Sequence, residues 1–392
     1  MSVPRFQHVT PALRTFCGAE ALDALPRQLD RLGLRRAVVF CGQSLPRLHA
    51  PALARVESAL GGRLAAIFDR VESHSPAPSV EAAAAVLLDV GADAVVAVGG
   101  GSAVVTARAA SIVLAEQQDV RELATRREAD GSLASPKLLK PKLAQWIVPT
   151  TPTTAYAKAG AAVRDPVTGD RLALYDPKVR AQGIFIDPEL ALTAPVTLAQ
   201  GAALNAFSMA VEGLQSEVDD PLAHAPLAYA LDILFEWLPR LAASPEDPEP
   251  RVRLMLAALL CGQGSDHVGG GLAQALAHAA GPRSSTSNGV VEALLLPHTM
   301  RFNAPVTGKR LTRVAAILGS EPASDTSPLE CAAAGVRSML RIADVPPRLR
   351  DVGVGESSLP EIVEHALNDW TLTQIPRTAN RADIEELLRA AW

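Results

Sequence analysis

The segment Val95-Val96-Ala97-Val98-Gly99-Gly100-Gly101-Ser102 constrains this chain more than any other. Small apolar residues rich in β-branched valine fit a strand buried on both faces. The glycines that follow let the backbone approach a ligand closely and reach positive φ. A helix opening at Ser102, with Ser102 as its cap, continues through Ala110. The unpaired N–H groups and positive dipole end of its first turn suit a phosphate. Strand, glycine turn and helix start together predict a diphosphate cradle, since a plain tight turn needs fewer glycines.

The flanking segments extend this pattern. Strands are expected at Arg36–Gly42, Leu64–Phe68, Gln145–Val148, Arg171–Tyr175 and Gly183–Ile186. A helix-like segment runs from Ala19 to Leu32 and another from Val80 to Val90. The Gly42-Gln43-Ser44 turn is where an open α/β sheet would meet the adenosine half of a dinucleotide. No acidic residue follows it, so the choice between NADH and NADPH is not indicated. Residues 119–144 are charged and interrupted, and are expected as an exposed excursion. From about residue 191 strand patterns stop, and Ala/Leu-rich helical segments take over at Leu198–Gln215, Leu222–Leu238, Arg251–Cys261, Leu272–Ala280 and Ile384–Ala391. The fold class is therefore an α/β dinucleotide-binding domain over 1–190 and an all-helical domain over 191–392.

Composition excludes several classes. A net charge of −5 over 392 residues argues against nucleic acid or an acidic membrane as partner. No apolar run reaches membrane-spanning length, and the start of the chain lacks a basic-then-apolar signal. Four scattered cysteines without a CxxC pair fit a reducing compartment. The expectation is a cytoplasmic protein acting on a small molecule.

Short motifs in a fixed order carry a resemblance. They are Gly99-Gly100-Gly101-Ser102, Val148-Pro149-Thr150-Thr151, Ile186-Asp187-Pro188-Glu189-Leu190, Leu204-Asn205-Ala206 with Ala210-Val211-Glu212, and Leu294-Leu295-Leu296-Pro297-His298 through Phe302-Asn303. In this the chain resembles the iron-containing alcohol dehydrogenase family, of the dehydroquinate synthase-like fold, and looks most like its maleylacetate reductase branch. The resemblance implies a homodimer. It also implies a nicotinamide cofactor, with Gly99, Gly100, Gly101 and Ser102 on the diphosphate and Thr150, Thr151, Thr154 and Arg171 nearby. His74 is a candidate for the cofactor phosphate. Val105 and Arg108 replace a usual Asp and Lys, and Tyr156 is expected to make the pocket bulkier.

The family's alcohol dehydrogenases hold a divalent metal with one Asp and three His, and the resemblance puts those positions on Asn205, Met209, Gln274 and Asn288. Neutral amides and a thioether bind hard or borderline cations poorly, so no metal is expected. Without a Lewis acid, a developing alkoxide needs hydrogen-bond donors. The amides and the hydroxyls of Ser284, Ser285, Thr286 and Ser287 could supply them, and Arg283 could hold a substrate carboxylate. His278 falls on the family histidine near the nicotinamide, and is expected to deliver the proton. The remaining histidines weigh less: His298 reads as structural, and His224 and His267 as possible pocket residues. The expectation is a metal-independent NAD(P)H-dependent reductase of a carbonyl or conjugated C=C. The alternatives are a non-catalytic paralogue and a lyase or cyclase of the same fold.

Overall fold

The computed structural model describes residues 4–128, 132–319 and 326–392. They fall into two units, which are taken in turn.

The α/β unit comprises Thr10–Thr151 and Ala155–Pro195. Its strands are β1 (Arg14–Cys17), β2 (Ala37–Phe40), β3 (Leu64–Phe68), β4 (Ala94–Gly99), β5 (Arg126–Arg127), β6 (Leu133–Ala134), β7 (Ala144–Pro149), β8 (Gly160–Arg164), β9 (Arg171–Tyr175) and β10 (Ala181–Ile186). Its helices are α1 (Leu25–Arg31), α2 (Ser44–Leu48), α3 (Ala50–Leu60), α4 (Ala77–Asp89), α5 (Gly101–Glu116) and α6 (Pro188–Ala191). Six strands form one sheet in the order β1-β10-β7-β4-β2-β3, all parallel. The valine-rich β2 and β4 are buried along their lengths because helices cover the sheet's faces. From β2 the chain steps outward to β3, then returns to the other side of β2 as β4. The strand order reverses there, so the ends of β2 and β4 flank the crevice where such sheets bind ligands. Gly99-Gly100 and Gly42 lie at those two ends.

The helical unit comprises the segment up to Val9, Pro152–Thr154 and Val196–Trp392. It contains α7 (Val196–Gly213), α8 (Pro221–Ala243), α9 (Pro248–Val268), α10 (Leu272–Ala280), α11 (Asn288–Ile317), α12 (Pro328–Ile342), α13 (Leu359–Leu367) and α14 (Arg381–Ala391). Side chains cap several helix starts: Asp220 for α8, Asp247 for α9, Ser327 for α12 and Asn380 for α14. Alanine on the facing sides lets backbones approach, and one apolar core runs through α7 to α14. At Gly289 an added Cβ would lie 1.9 Å from the Gly201 carbonyl oxygen, so α11 begins in backbone contact with α7.

Several expectations change. α5 begins at Gly101 with Gly100 as N-cap, and no side chain caps it. Ser102 is already inside the first turn, and its Oγ accepts from the His74 N–H at 3.2 Å. Arg171–Tyr175 pairs antiparallel with β8, a strand the sequence pattern did not show, outside the parallel sheet. The segment Ala19–Leu32 splits into a 3-10 turn, Ala21–Ala24, and α1, because Pro26 suits only a helix's first turn. The 119–144 excursion is partly buried. Val120, Leu123 and Ala124 join the interior, and the Lys142 side chain is fully buried, its Nζ 2.6 Å from Glu116 and 3.0 Å from Asp176. α6 stays with the α/β unit, so the chain leaves that unit at Pro195, beyond the expected boundary at 190/191.

Candidate active site

In the α/β unit the cradle is tight. Gly99 has φ +146°, which favours glycine, and a Cβ on Gly100 would meet Thr151 Oγ1 at 2.6 Å. The Thr150 N–H donates to the Gly99 carbonyl at 3.0 Å, holding the threonine loop against the turn. The uncapped start of α5 leaves N–H groups that a phosphate satisfies. The His74 loop leans on the same turn. His74 and Ser75 take left-handed φ of 64° and 49°, held by Ser75 Oγ donating to the Ser102 carbonyl and Thr106 Oγ1 donating to Ser75 Oγ. Burial lowers the His74 pKa, and the charges of Arg171 and Arg164 lower it further. Gly99 to Ser102, Thr150, Thr151, His74 and Arg171 are thus gathered in one unit. Arg108 is fully buried and structural, donating to the carbonyls of Gly160 at 2.7 Å and Ala155 at 3.0 Å. Tyr156 is fully buried too, with its hydroxyl on the Thr151 carbonyl. It braces the loop rather than filling a pocket.

In the helical unit, three of the four side chains that the resemblance puts at the family's metal positions have protein partners. Gln274 Nε2 and Thr154 Oγ1 each lie 3.5 Å from Met209 Sδ as donors. Thr154 therefore belongs with these residues. Asn205 Nδ2 donates to Glu292 Oε2. Asn288, at the start of α11, packs its Oδ1 where a Cβ on Gly281 would stand. The structure brings Met209, Gln274 and Thr154 together and links Asn205 to Glu292, one helical turn beyond Asn288.

His278 lies one turn after Gln274 on α10. Its Nδ1 is 2.7 Å from Asp369 Oδ2, and its ring packs on Trp370 with centroids 5.3 Å apart. Asp369 is buried and also accepts from Thr371 Oγ1 at 2.6 Å and the Thr371 N–H at 2.9 Å. Burial raises the Asp369 pKa, but the His278 charge and these hydrogen bonds outweigh it and hold the carboxyl below its ordinary range. A buried carboxylate on Nδ1 fixes the tautomer and leaves proton transfer to Nε2.

Sequence reasoning assigned no role to three carboxylates here. Asp369 and Glu292 gain partners only through folding, 91 and 87 positions along the chain. Glu212 was visible only as part of a motif. It caps α10, accepting from the N–H groups of Ala273 at 2.7 Å and Gln274 at 3.2 Å. Arg283 is a correction: its guanidinium pairs with Glu361 at 2.6 Å and donates to the Ala279 carbonyl, so it is no ready clamp for a carboxylate. Ser284 and Ser285 donate to backbone carbonyls, whereas Ser287 Oγ is buried with no hydrogen-bond partner among the described residues.

A parallel sheet whose strand order reverses at a glycine turn, followed by helices that hold a histidine–carboxylate pair, fits a nicotinamide-dependent oxidoreductase. Residues 12–188 match iron-containing alcohol dehydrogenase, and residues 200–392 match the C-terminal domain of the Fe-containing alcohol dehydrogenase family. The chain belongs to the iron-containing alcohol dehydrogenase family. It is 30% identical to lactaldehyde reductase of Escherichia coli K12 over 96% of this chain and 97% of the relative. It is 28% identical to maleylacetate reductase 1 of Cupriavidus pinatubonensis over 97% and 95%. Among solved structures, maleylacetate reductase from Agrobacterium tumefaciens superposes with TM-score 0.79 at 25% identity, covering 100% of this chain and 99% of the other. An archaeal Red Sea brine pool alcohol dehydrogenase gives TM-score 0.90 at 23% identity over all of both chains, which speaks for the fold alone.

The cradle fits a nicotinamide dinucleotide: Gly100 has no room for a side chain, and the helix start offers unpaired donors. The four metal positions fit an iron or zinc ion poorly. They hold no imidazole and no carboxylate; of the neighbouring Glu292, one oxygen accepts from Asn205.

Proposed function

We propose that this protein is a metal-independent NAD(P)H-dependent reductase. It acts on a carbonyl, or a conjugated C=C, of a small polar substrate carrying a carboxylate. The observation that carries this reading is the set of protein contacts already made there: Gln274 and Thr154 on Met209, and Asn205 on one oxygen of Glu292, at the positions the resemblance assigns to a cation. In the α/β unit, Gly99 to Ser102 hold the diphosphate, and Thr150, Thr151, His74 and Arg171 complete the cofactor's surroundings. When bound, the cofactor supplies the hydride. In the helical unit, His278 Nε2 delivers the proton to the reduced substrate, with Asp369 holding Nδ1. Asn205 and Gln274 each keep a second amide N–H, and Ser287 a hydroxyl, to stabilise a developing oxyanion. The carboxylated substrate is supported by the similarity to maleylacetate reductases, and the lactaldehyde reductase match supports a small carbonyl. A homodimer and a cytoplasmic location belong to this reading through the family. Among the described residues no helix is long and apolar enough to cross a membrane.

The test uses EDTA-treated protein. Fluorescence titration with NADPH and NADH is expected to saturate in the micromolar range. Nicotinamide absorbance is then followed with a panel of small hydroxyaldehydes and unsaturated keto acids. Turnover without added metal supports the reading. Turnover that appears only after Fe²⁺ or Zn²⁺ is restored refutes metal independence. A folded protein that binds neither cofactor is a non-catalytic paralogue.

A further inference from the structure

Three residues with no part in the proposed chemistry meet elsewhere in the helical unit. His8 comes from the segment before Val9, Asp220 is the N-cap of α8, and His267 lies in the last turn of α9. Each offers one ligand atom, and these atoms all lie within 4.8 Å of one another. His8 Nδ1 is 2.7 Å from Asp220 Oδ2, and the two imidazole rings stack with centroids 3.8 Å apart at 23°. Among the described residues no other group of three His, Cys, Asp or Glu comes this close.

We propose that His8, Asp220 and His267 form a binding site for a divalent transition-metal ion of the Zn²⁺ class, separate from the family's metal position. The donor chemistry fits. Two imidazoles and a carboxylate are a common three-ligand set for zinc, with a fourth position left for water. Asp220 is held in place, because its Oδ1 accepts from the N–H groups of Leu222 at 2.9 Å and Ala223 at 3.4 Å, which aims Oδ2 at the histidines. The negative dipole end of α9 favours a cation at His267, and Asp220 neutralises the positive end of α8. Donors around a tetrahedral zinc at about 2.1 Å stand roughly 3.4 Å apart. The site therefore closes by rotation of the two histidines, both of them partly exposed. A bound ion would staple the start of the chain to α8 and α9. It shares no residue with Asn205, Met209, Gln274, Asn288 or His278.

The experiment titrates chelator-stripped, full-length protein with ZnCl2 by calorimetry, and with CoCl2 by visible spectroscopy. One equivalent per chain is expected, with Co²⁺ bands of a low-coordinate nitrogen and oxygen site and no thiolate charge transfer. His8→Ala and His267→Ala are each expected to weaken binding by about 10²-fold, while Gln274→Ala leaves it unchanged. Absence of Co²⁺ bands in wild-type protein overturns the site, whether or not the variants fold. So does stoichiometric binding that survives the double variant. Reductase activity of the stripped protein is read in parallel. A requirement for metal there refutes the metal-independent chemistry, whereas an active stripped protein that still takes up one ion at His8 and His267 supports both readings.

Discussion

At His278 the ring is held by a partner 91 positions away. An alanine-rich helix alone presents an imidazole with either tautomer open to it. Asp369, buried and fixed by Thr371, removes that choice. Replacing Asp369 by Asn keeps the size and removes the charge. The expected result is a fall in kcat of about 10²–10⁴-fold with little change in KM. The kcat pH profile should also move to lower pH, because the anion that favours a charged imidazole is gone. Steady-state kinetics across pH checks both, and an unchanged profile would show Asp369 to be merely structural. The residue scale is also where two expectations fail. Arg283 was a candidate to hold a substrate carboxylate, but Glu361 pairs with it, and Tyr156 braces a loop from the interior.

Among the elements, the β4 turn into α5 is the one on which the proposed cofactor site rests. Its glycines are explained by what surrounds them: Thr151 fills the space beside Gly100, and the helix start is left uncapped. Gly100→Ala places a methyl group 2.6 Å from Thr151 Oγ1. The loop must shift, at a cost of about 1–3 kcal/mol. NADPH and NADH dissociation constants should rise at least about tenfold, read by fluorescence titration on protein whose circular dichroism matches wild type. The start of α10 works differently. Glu212 takes the helix's unpaired N–H groups, so the helix that bears Gln274 and His278 begins on a buried carboxyl.

For the whole molecule these carboxyls set opposite limbs of stability against pH. Burial pushes Glu212 up to about 7 from 4.5, so the folded protein keeps a proton that the unfolded chain has released. Its contribution is full below pH 4.5 and declines as pH rises towards 7. Asp176, Asp220 and Asp369 are depressed below 3.8 despite burial, by hydrogen bonds and cationic neighbours. Their contribution is present above pH 3.8 and is lost as pH falls through their folded values. Calorimetric melting across pH should show both limbs. Glu212→Gln should flatten the decline between pH 4.5 and 7 and leave the acid limb in place. An unaltered upper limb would mean that Glu212 does not titrate there.

The sequence by itself determined the class of each half. Buried valine runs, a glycine turn and alanine-rich helical periodicity are local patterns, because strand burial and helix faces repeat over a few residues. The glycine turn could also be read directly, whereas the loss of histidine and carboxylate at Asn205, Met209, Gln274 and Asn288 is what the resemblance implies. Tertiary structure alone decided which partners those side chains meet. Asp369 on His278, Glu292 on Asn205, Glu361 on Arg283 and the meeting of His8, Asp220 and His267 join residues far apart in the chain. Such pairs leave no periodic trace, since each depends on helix packing that brings distant segments within hydrogen-bond reach.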